Sequence, residues 1–490
     1  MNSFKKLVGE TAVYGVSSIA GRFINWWLVP YYSHIFLTAE YGVVTNLYSY
    51  MAFLLVILTY GMETGYFRYA SGKADKDLVY SSSLISLFVT SLSFLLVAYS
   101  FSDVISGWMD YENHPEYIRW IALIMAFDAF TSIPFARLRI ESKAIKFAVL
   151  KLINIFANIF FNVFFLSICP ALLKTNPDHI VGLIYSDQIG VGYVFISNLI
   201  ASGITFVMLL PELWVKLRFD SRLLKEMVWY SFPILVVGIA GMVNQNIDKI
   251  LIPELIPADQ GPMDQLGIYG ANYKLAVLMN MFIQAFRYAF EPFFFSQVKS
   301  ENNKRGYALI LKYFVIFGLI IFLGISLFLD LFKTLHIIDE AYYSGLKVVP
   351  IILMANLFLG IYYTISLWYK LTDKTRFGAY FSLVGAAISL AINIIFIPVY
   401  GYMASAVAVL ICFMVETALC YVYGQKHFPV DYPVKRISFY FILALGLYFL
   451  ALLLPLESSR GSYLLNAVLL FVFLLTVYLL ENKEFRKFLH

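Results

Sequence analysis

The chain has 490 residues, 61% hydrophobic and only 14% charged, with a mean hydropathy of +0.76. That balance excludes a soluble globular domain, in which about 25% of residues are charged. The formal net charge of +5 is modest, so its placement matters more than its size, and no basic patch for nucleic acid stands out.

Apolar stretches recur from Glu10 to Leu480 as continuous runs. Membrane barrel strands would instead be about ten residues long with alternating polarity. A helix of about 20 apolar residues crosses the hydrocarbon and pairs its own backbone groups there. The expected fold is an all-α polytopic membrane protein of about fourteen spans. In chain order they are 11–36, 43–69, 79–101, 117–136, 147–168, 191–212, 228–251, 267–294, 308–331, 346–368, 377–398, 402–424, 437–455 and 463–480. The first follows Lys5 and Lys6, carries Arg22 and reaches Trp26 and Trp27 without a small-residue cleavage site, so it is expected to be retained rather than removed as a signal. Span 7 begins with Pro233 near its start and is expected to kink there. Cys169, Cys412 and Cys420 show no metal or disulfide spacing and are expected to be small packing residues.

Lys and Arg fix the expected orientation. They crowd alternate segments, among them 68–76, 137–151, 216–225, 299–312 and 370–376, a set that includes Lys151 and Lys312. The opposite side holds only Arg119, Lys174, Lys333, Lys347 and Arg460. Both termini are therefore expected in the cytoplasm. The longest outside loops, about 102–116, 169–190 and 252–266, are too small for a catalytic domain. Function is expected to reside in the helix bundle.

The segment EYGVVTNLYSYM at 40–51 resembles IYGANYKLAVLM at 268–279, a shift of 228 residues that also sets Glu63 on Glu291. Lys143 and Asn162 recur as Lys374 and Asn393 at a shift of 231. Six spans separate the copies, so the halves share one orientation. Parallel repeats suggest a transporter of two six-helix lobes around a central cavity. The expected divisions are 1–222 for helices 1–6, 223–425 for helices 7–12, and 426–490 for two additional helices.

Charged residues inside spans are costly and mark partners or cavities. Arg22 lies in span 1, Glu63 in span 2, Asp128 in span 4, Asp248 and Lys249 in span 7, Lys274, Arg287 and Glu291 in span 8, and Glu416 in span 12. Bland alternatives stand beside a transport role. Arg287 can pair with Glu291 one turn away, Glu63 can pair with Arg68, and Asp248 and Lys249 can be hydrated near the surface. Arg22, Lys274, Asp128 and Glu416 have no charged partner within one turn. Arg22, Lys249, Lys274 and Arg287 together suggest an anionic substrate, since Arg and Lys both suit phosphate. The acids Glu63, Asp128, Asp248, Glu291 and Glu416 are candidate sites for coupling to H⁺ or Na⁺. Asn244 and Gln245 are expected to face the cleft, and Lys249 to anchor its helix at the interface.

The segments SFPILVVGIAGMVNQNIDKILI and LGIYGANYKLAVLMNMFIQAFRYAFEPFFF, with TAEYGVVTNLYSYMAFLLVILTYGMETGYFRY and PFARLRIESKAIKFA in the first half, carry a resemblance over essentially the whole chain. It resembles bacterial polysaccharide transporters, the O-antigen and capsule repeat-unit flippases of the multidrug/oligosaccharidyl-lipid/polysaccharide exporter superfamily. The resemblance implies alternating-access transfer of a polyprenyl-diphosphate-linked oligosaccharide to the periplasmic leaflet of the bacterial inner membrane. It implies Arg22, Lys274 and Arg287 as substrate-binding residues, joined by Asn244 and Gln245. A polysaccharide polymerase and glycosyltransferases are the expected partners of a functional monomer, with no cofactor, metal or nucleic acid. The alternatives are a cation-coupled drug exporter and a lipid II flippase of the same superfamily. A membrane enzyme finds little support, because His34, His114, His179, His336, His427 and His490 are scattered and no phosphate loop or nucleophile elbow appears.

Overall fold

The structure is a computed structural model and describes residues 19–72, 75–296, 303–372, 374–454 and 459–489. The described residues are helical and contain no strand. A helical run at 19–26 precedes α1 (Leu28–Ile35), α2 (Thr38–Thr59), α3 (Met62–Ala70), α4 (Lys76–Ser100), α5 (Pro115–Ile140), α6 (Ala144–Val163) and α7 (Gly192–Leu209). Then come α8 (Ser221–Leu255), α9 (Pro262–Leu275), α10 (Val277–Ser296), α11 (Asn303–Ser326), α12 (Val348–Ile365), α13 (Arg376–Tyr400), α14 (Tyr402–His427), α15 (Val434–Leu453) and α16 (Ser459–Leu489).

Local chemistry sets many of the ends. Asp75 caps α4, its carboxylate accepting from the backbone N–H of Asp77 and Leu78. Asp220 does the same for α8 through Arg222 and Leu223. Span 2 is divided where Tyr60 and Gly61 turn left-handed, at φ 33° and 71°. Glycine takes that conformation without the penalty a side chain incurs, and α3 starts afresh beyond it. Span 8 is divided at Ala276, between α9 and α10. Span 7 is one helix that runs through both Pro233 and Pro253.

Twelve described helical segments are long and apolar enough to cross a membrane. The two expected spans missing from that set are the first and the eighth. Residues 11–18 of the first lie outside the described residues, and Asn280, Gln284, Arg287 and Glu291 dilute the apolar character of the eighth. Fourteen is therefore consistent with the structure.

The chain divides into two compact units. The first comprises residues 1–28, 35–254 and 261–267, and the second 29–34, 255–260 and 268–490. Most of α8 thus packs within the first unit, although it opens the second sequence repeat. In the first unit α5 packs against α2, α3, α4, α6 and α7; in the second α12 packs against α10, α11 and α14. These two are the most enclosed spans, with 72% of the apolar window of α5 buried and 78% of that of the span starting at Val348.

The repeat recurs in the geometry of each unit. Tyr41 and Tyr269 are both fully buried. The backbone N–H of Lys143 donates to the Leu138 carbonyl, and that of Lys374 to the Tyr369 carbonyl, each at 2.8 Å. Asn162 and Asn393 are fully buried and donate one turn back, to the Asn158 and Ser389 carbonyls, each at 2.8 Å. At the first turn, the hydrogen bond from Lys143 to Glu141 holds the ammonium above its ordinary range, against a small loss from burial.

Lys312 departs from the sequence expectation. It is counted there with the connecting-segment charges although the expected span 308–331 already contains it; α11 starts at Asn303, which sets Lys312 well inside the helix. Its side chain is 2% exposed and ion-paired with Glu481 of α16. The second Glu481 oxygen accepts from the Tyr440 hydroxyl of α15 at 2.7 Å and lies 3.6 Å from the Arg436 guanidinium. The two additional helices are thereby tied to α11. Removing one partner of such a pair strands the other charge and costs about 3–5 kcal/mol. Lys312→Ala or Glu481→Ala should lower the thermal unfolding midpoint in detergent, whereas Lys312→Met combined with Glu481→Gln should recover most of it. Unchanged midpoints in both single variants would contradict the pairing.

Candidate functional site

The polar stretch of α8 is buried rather than interfacial. Asn244 and Asp248, one turn apart, are 3% and 1% exposed, and Lys249 is 7% exposed. Lys249 Nζ lies 3.1 Å from the Asp248 carboxylate and donates to the Gln245 carbonyl at 2.7 Å. The Lys249 carbonyl accepts from Asn46 Nδ2 of α2 at 3.2 Å, and Asn46 Oδ1 accepts from the Tyr111 hydroxyl at 3.1 Å. The alternative that Asp248 and Lys249 are hydrated near the surface does not hold, for both are buried against protein. Both residues lie within α8, which runs on to Leu255, and each neutralises the other. Gln245 is half-buried.

A cavity of about 460 Å³ opens within the first unit, lined by Glu63, Asp128, Arg139, Lys151, Asn154 and Thr205 among others. Four elements bring these groups together. Asp128 of α5 accepts from the Ser202 hydroxyl of α7 at 2.8 Å. Asn154 of α6 donates to the Thr205 hydroxyl of α7 at 3.0 Å. Lys151 of α6 stands 4.1 Å above the Phe135 ring, and Glu63 of α3 pairs with Arg139 of α5 at 2.6 Å. The alternative of a local pairing of Glu63 with Arg68 gives way to this one, and Arg68 lies 4.5 Å over the Tyr230 ring. Two cations and two carboxylates leave this cavity formally neutral. It offers a half-buried carboxylate, hydroxyls and an ammonium, a set able to exchange a proton or a monovalent cation.

In the second unit, Lys274 is half-buried at the end of α9. Arg287 of α10 stands 4.4 Å over the Tyr363 ring of α12. Glu416 of α14 is 2% exposed. A Cβ at Gly385 of α13 would stand 2.4 Å from its carboxylate oxygen, so glycine there admits the acid against the helix. Arg22, in the first unit, is exposed. The side chain of Glu291, and hence its expected pairing with Arg287, lies outside the described residues. Among the described residues no three His, Cys, Asp or Glu side chains gather as a metal centre requires.

The model of a family described as polysaccharide biosynthesis protein matches residues 35–329, more than half of the chain. The chain belongs to that family. Among solved structures, the chain is similar to the lipid II flippase MurJ in an inward closed conformation. The TM-score is 0.73 at 14% identity, over 95% of this chain and 99% of that one. It is similar to an inward-facing multidrug resistance MATE family transporter of the MOP superfamily, with a TM-score of 0.63 at 14% identity over 87% of this chain and 94% of that one. The MATE multidrug transporter DinF-BH gives 0.62 at 16% identity, over 86% and 95%. At such identities the likeness is one of fold, the two-lobed helical fold of transporters and flippases. No curated protein matches the sequence.

Several residues of these sites are not legible in the sequence. Lys151 is counted there with the connecting-segment charges although the expected span 147–168 already contains it; α6 begins at Ala144 and places Lys151 two turns inside. Its signal is the i, i+3 spacing to Asn154, which puts both on one helix face. Ser202 and Asn46 carry no charge and gave no signal. The Asp248–Lys249 pair yields a double-mutant test. Lys249→Met leaves a buried carboxylate and should destabilise the protein by about 3–5 kcal/mol, while adding Asp248→Asn should restore most of the loss in thermal unfolding. Equal midpoints for wild type and Lys249→Met would show that the pair is not formed.

Proposed function

We propose that this protein flips polyprenyl-diphosphate-linked oligosaccharide repeat units from the cytoplasmic to the periplasmic leaflet of a bacterial inner membrane, by alternating access. One observation carries the reading: membership in a polysaccharide biosynthesis family is joined to a fold shared with a flippase over 95% of the chain. Family membership points to glycan assembly, and a helical fold without a sizeable loop domain suits relocation of a substrate better than chemistry on it. The likeness to multidrug transporters covers 86–89% of the chain, a smaller share.

In this reading Arg22, Lys274 and Arg287 answer the diphosphate charge, Arg through paired hydrogen bonds and Lys as a point charge. Asn244 and Gln245 serve the polar sugar hydroxyls. A proton or sodium ion exchanged at Asp128, beside Glu63, or at Glu416 drives the cycle, with Asp248 and Glu291 as further candidates. Glycosyltransferases supply the lipid-linked glycan, a polymerase consumes it, and one chain suffices. Both termini face the cytoplasm.

A second reading, cation-coupled drug export, is favoured by the acid-lined cavity of the first unit and the multidrug-transporter likeness. A third, lipid II transfer, follows the MurJ likeness. Deletion separates them: loss of surface polysaccharide supports the proposal, dye sensitivity with normal glycan supports drug export, and loss of viability supports lipid II. In the complemented deletion strain, Arg22→Ala and Lys274→Ala should each cut surface polysaccharide about tenfold or more, as loss of a charge contact does, at unchanged protein level. Normal polysaccharide in both would refute the assigned site. Asp128→Asn should make transport in vesicles insensitive to an imposed proton or sodium gradient.

A further inference from the structure

A second cavity lies wholly within the second unit, at the end where α11 finishes and α12 begins. Its volume is about 500 Å³. Ser326 of α11, Asp330 and Lys333 of the short helix Leu329–Thr334, Lys347 before α12, and Ser462 and Asn466 of α16 supply its polar wall. Tyr448, Leu452 and Leu454, at the end of α15, supply the apolar wall.

Three features define what fits. First, among the described residues two ammonium groups face one carboxylate. Lys333 Nζ holds Asp330 at 2.8 Å, and an ammonium has three protons to donate. Lys347 is exposed, 5.5 Å from the Tyr402 ring, so the wall keeps an excess positive charge. Second, Ser326 is only 7% exposed and its hydroxyl finds no hydrogen-bond partner among the described residues. A buried unsatisfied hydroxyl is costly, and an acceptor oxygen in the cavity would satisfy it. Third, the apolar wall is open to the outside of the bundle on helices long and apolar enough to cross a membrane. Leu452 and Leu454 are 58% and 48% exposed, and only 11% of the apolar windows of α15 and α16 is buried. A ligand must therefore present a compact anion with several acceptor oxygens, attached to chains that run along α15 and α16.

We propose that this cavity binds the phosphate headgroup of an anionic glycerophospholipid, with Lys333, Lys347 and Ser326 around the phosphate and the acyl chains along α15 and α16. On the orientation expected from Lys and Arg, the lipid belongs to the periplasmic leaflet. It is a resident lipid, distinct from the transported carrier, and it bridges the additional helices to the end of α11.

The test uses the full chain purified in neutral detergent and titrated with phosphatidylglycerol, phosphatidylcholine or inorganic phosphate, with binding read by native mass spectrometry and by the shift in unfolding midpoint. Phosphatidylglycerol should remain bound and raise the midpoint, while phosphatidylcholine and inorganic phosphate should not. Lys333→Gln with Lys347→Gln should weaken phosphatidylglycerol binding about tenfold or more, since each Lys near an anionic lipid contributes about 1 kcal/mol. Ser326→Leu, which fills the inner wall and keeps both lysines, should weaken it likewise. Undiminished binding in both variants would overturn the proposal. Equal binding of phosphatidylcholine would overturn the role of charge, and full competition by inorganic phosphate would overturn the assignment to a lipid.

Discussion

A charge carried into a helix bundle in lipid must be neutralised where it stands, and that demand fixes how the helices of each unit meet. Water cannot solvate the group, and the low dielectric makes a lone ion far more costly than a paired one. Lys312 and Glu481 meet this demand across α11 and α16, with Tyr440 and Arg436 of α15 completing the set. Asp248 and Lys249 meet it within one turn of α8, and the Lys249 carbonyl then fastens α8 to Asn46 of α2. Asp128 takes its hydroxyl donor from α7. Apolar packing holds the helices together in general; the polar contacts select which helix lies beside which.

The two halves use one scaffold for different chemistry. At the offset that aligns Tyr41 with Tyr269, Asn46 falls on Lys274. In the first half this position holds a buried amide that links two elements and a tyrosine; in the second it holds a half-buried ammonium. The asparagines at 162 and 393 kept the same hydrogen bond, because a buried amide returning to its own helix is a matter of fold. Function is free to diverge where the scaffold does not need the residue.

The helical class, the spans and the repeat were legible because length and polarity decide them. Each apolar run had to reach across the bilayer, and the recurrence of Tyr-Gly and Lys–Asn needed no knowledge of contacts. Asp128 and Glu416 stood out for the same reason, as acids in runs that had no place for them. What stayed hidden depends on partners distant in sequence. Glu481 reads as the polar end of the last span until Lys312, 169 positions away, is set against it. Arg139 reads as a loop charge until α3 brings Glu63 to it. Lys249 was not placed by the sequence, since its burial depends on α2, whose Asn46 lies about two hundred positions away. Division of span 2 at Tyr60 and Gly61 was hidden too, because a left-handed turn inside an apolar run leaves its hydropathy unchanged.

Pairing also has an electrical consequence. A membrane potential does work on any net charge that moves along the normal, about 2.3 kcal/mol per elementary charge per 100 mV. Asp248 and Lys249 ride on one helix, so any displacement of α8 carries both signs together and the field does no net work on them. A rocking helix bearing Lys249 alone would instead be pulled by the resting voltage towards one end of its travel. The adjacent acid makes α8 electrically silent, and leaves the voltage to act on charges that are not so matched.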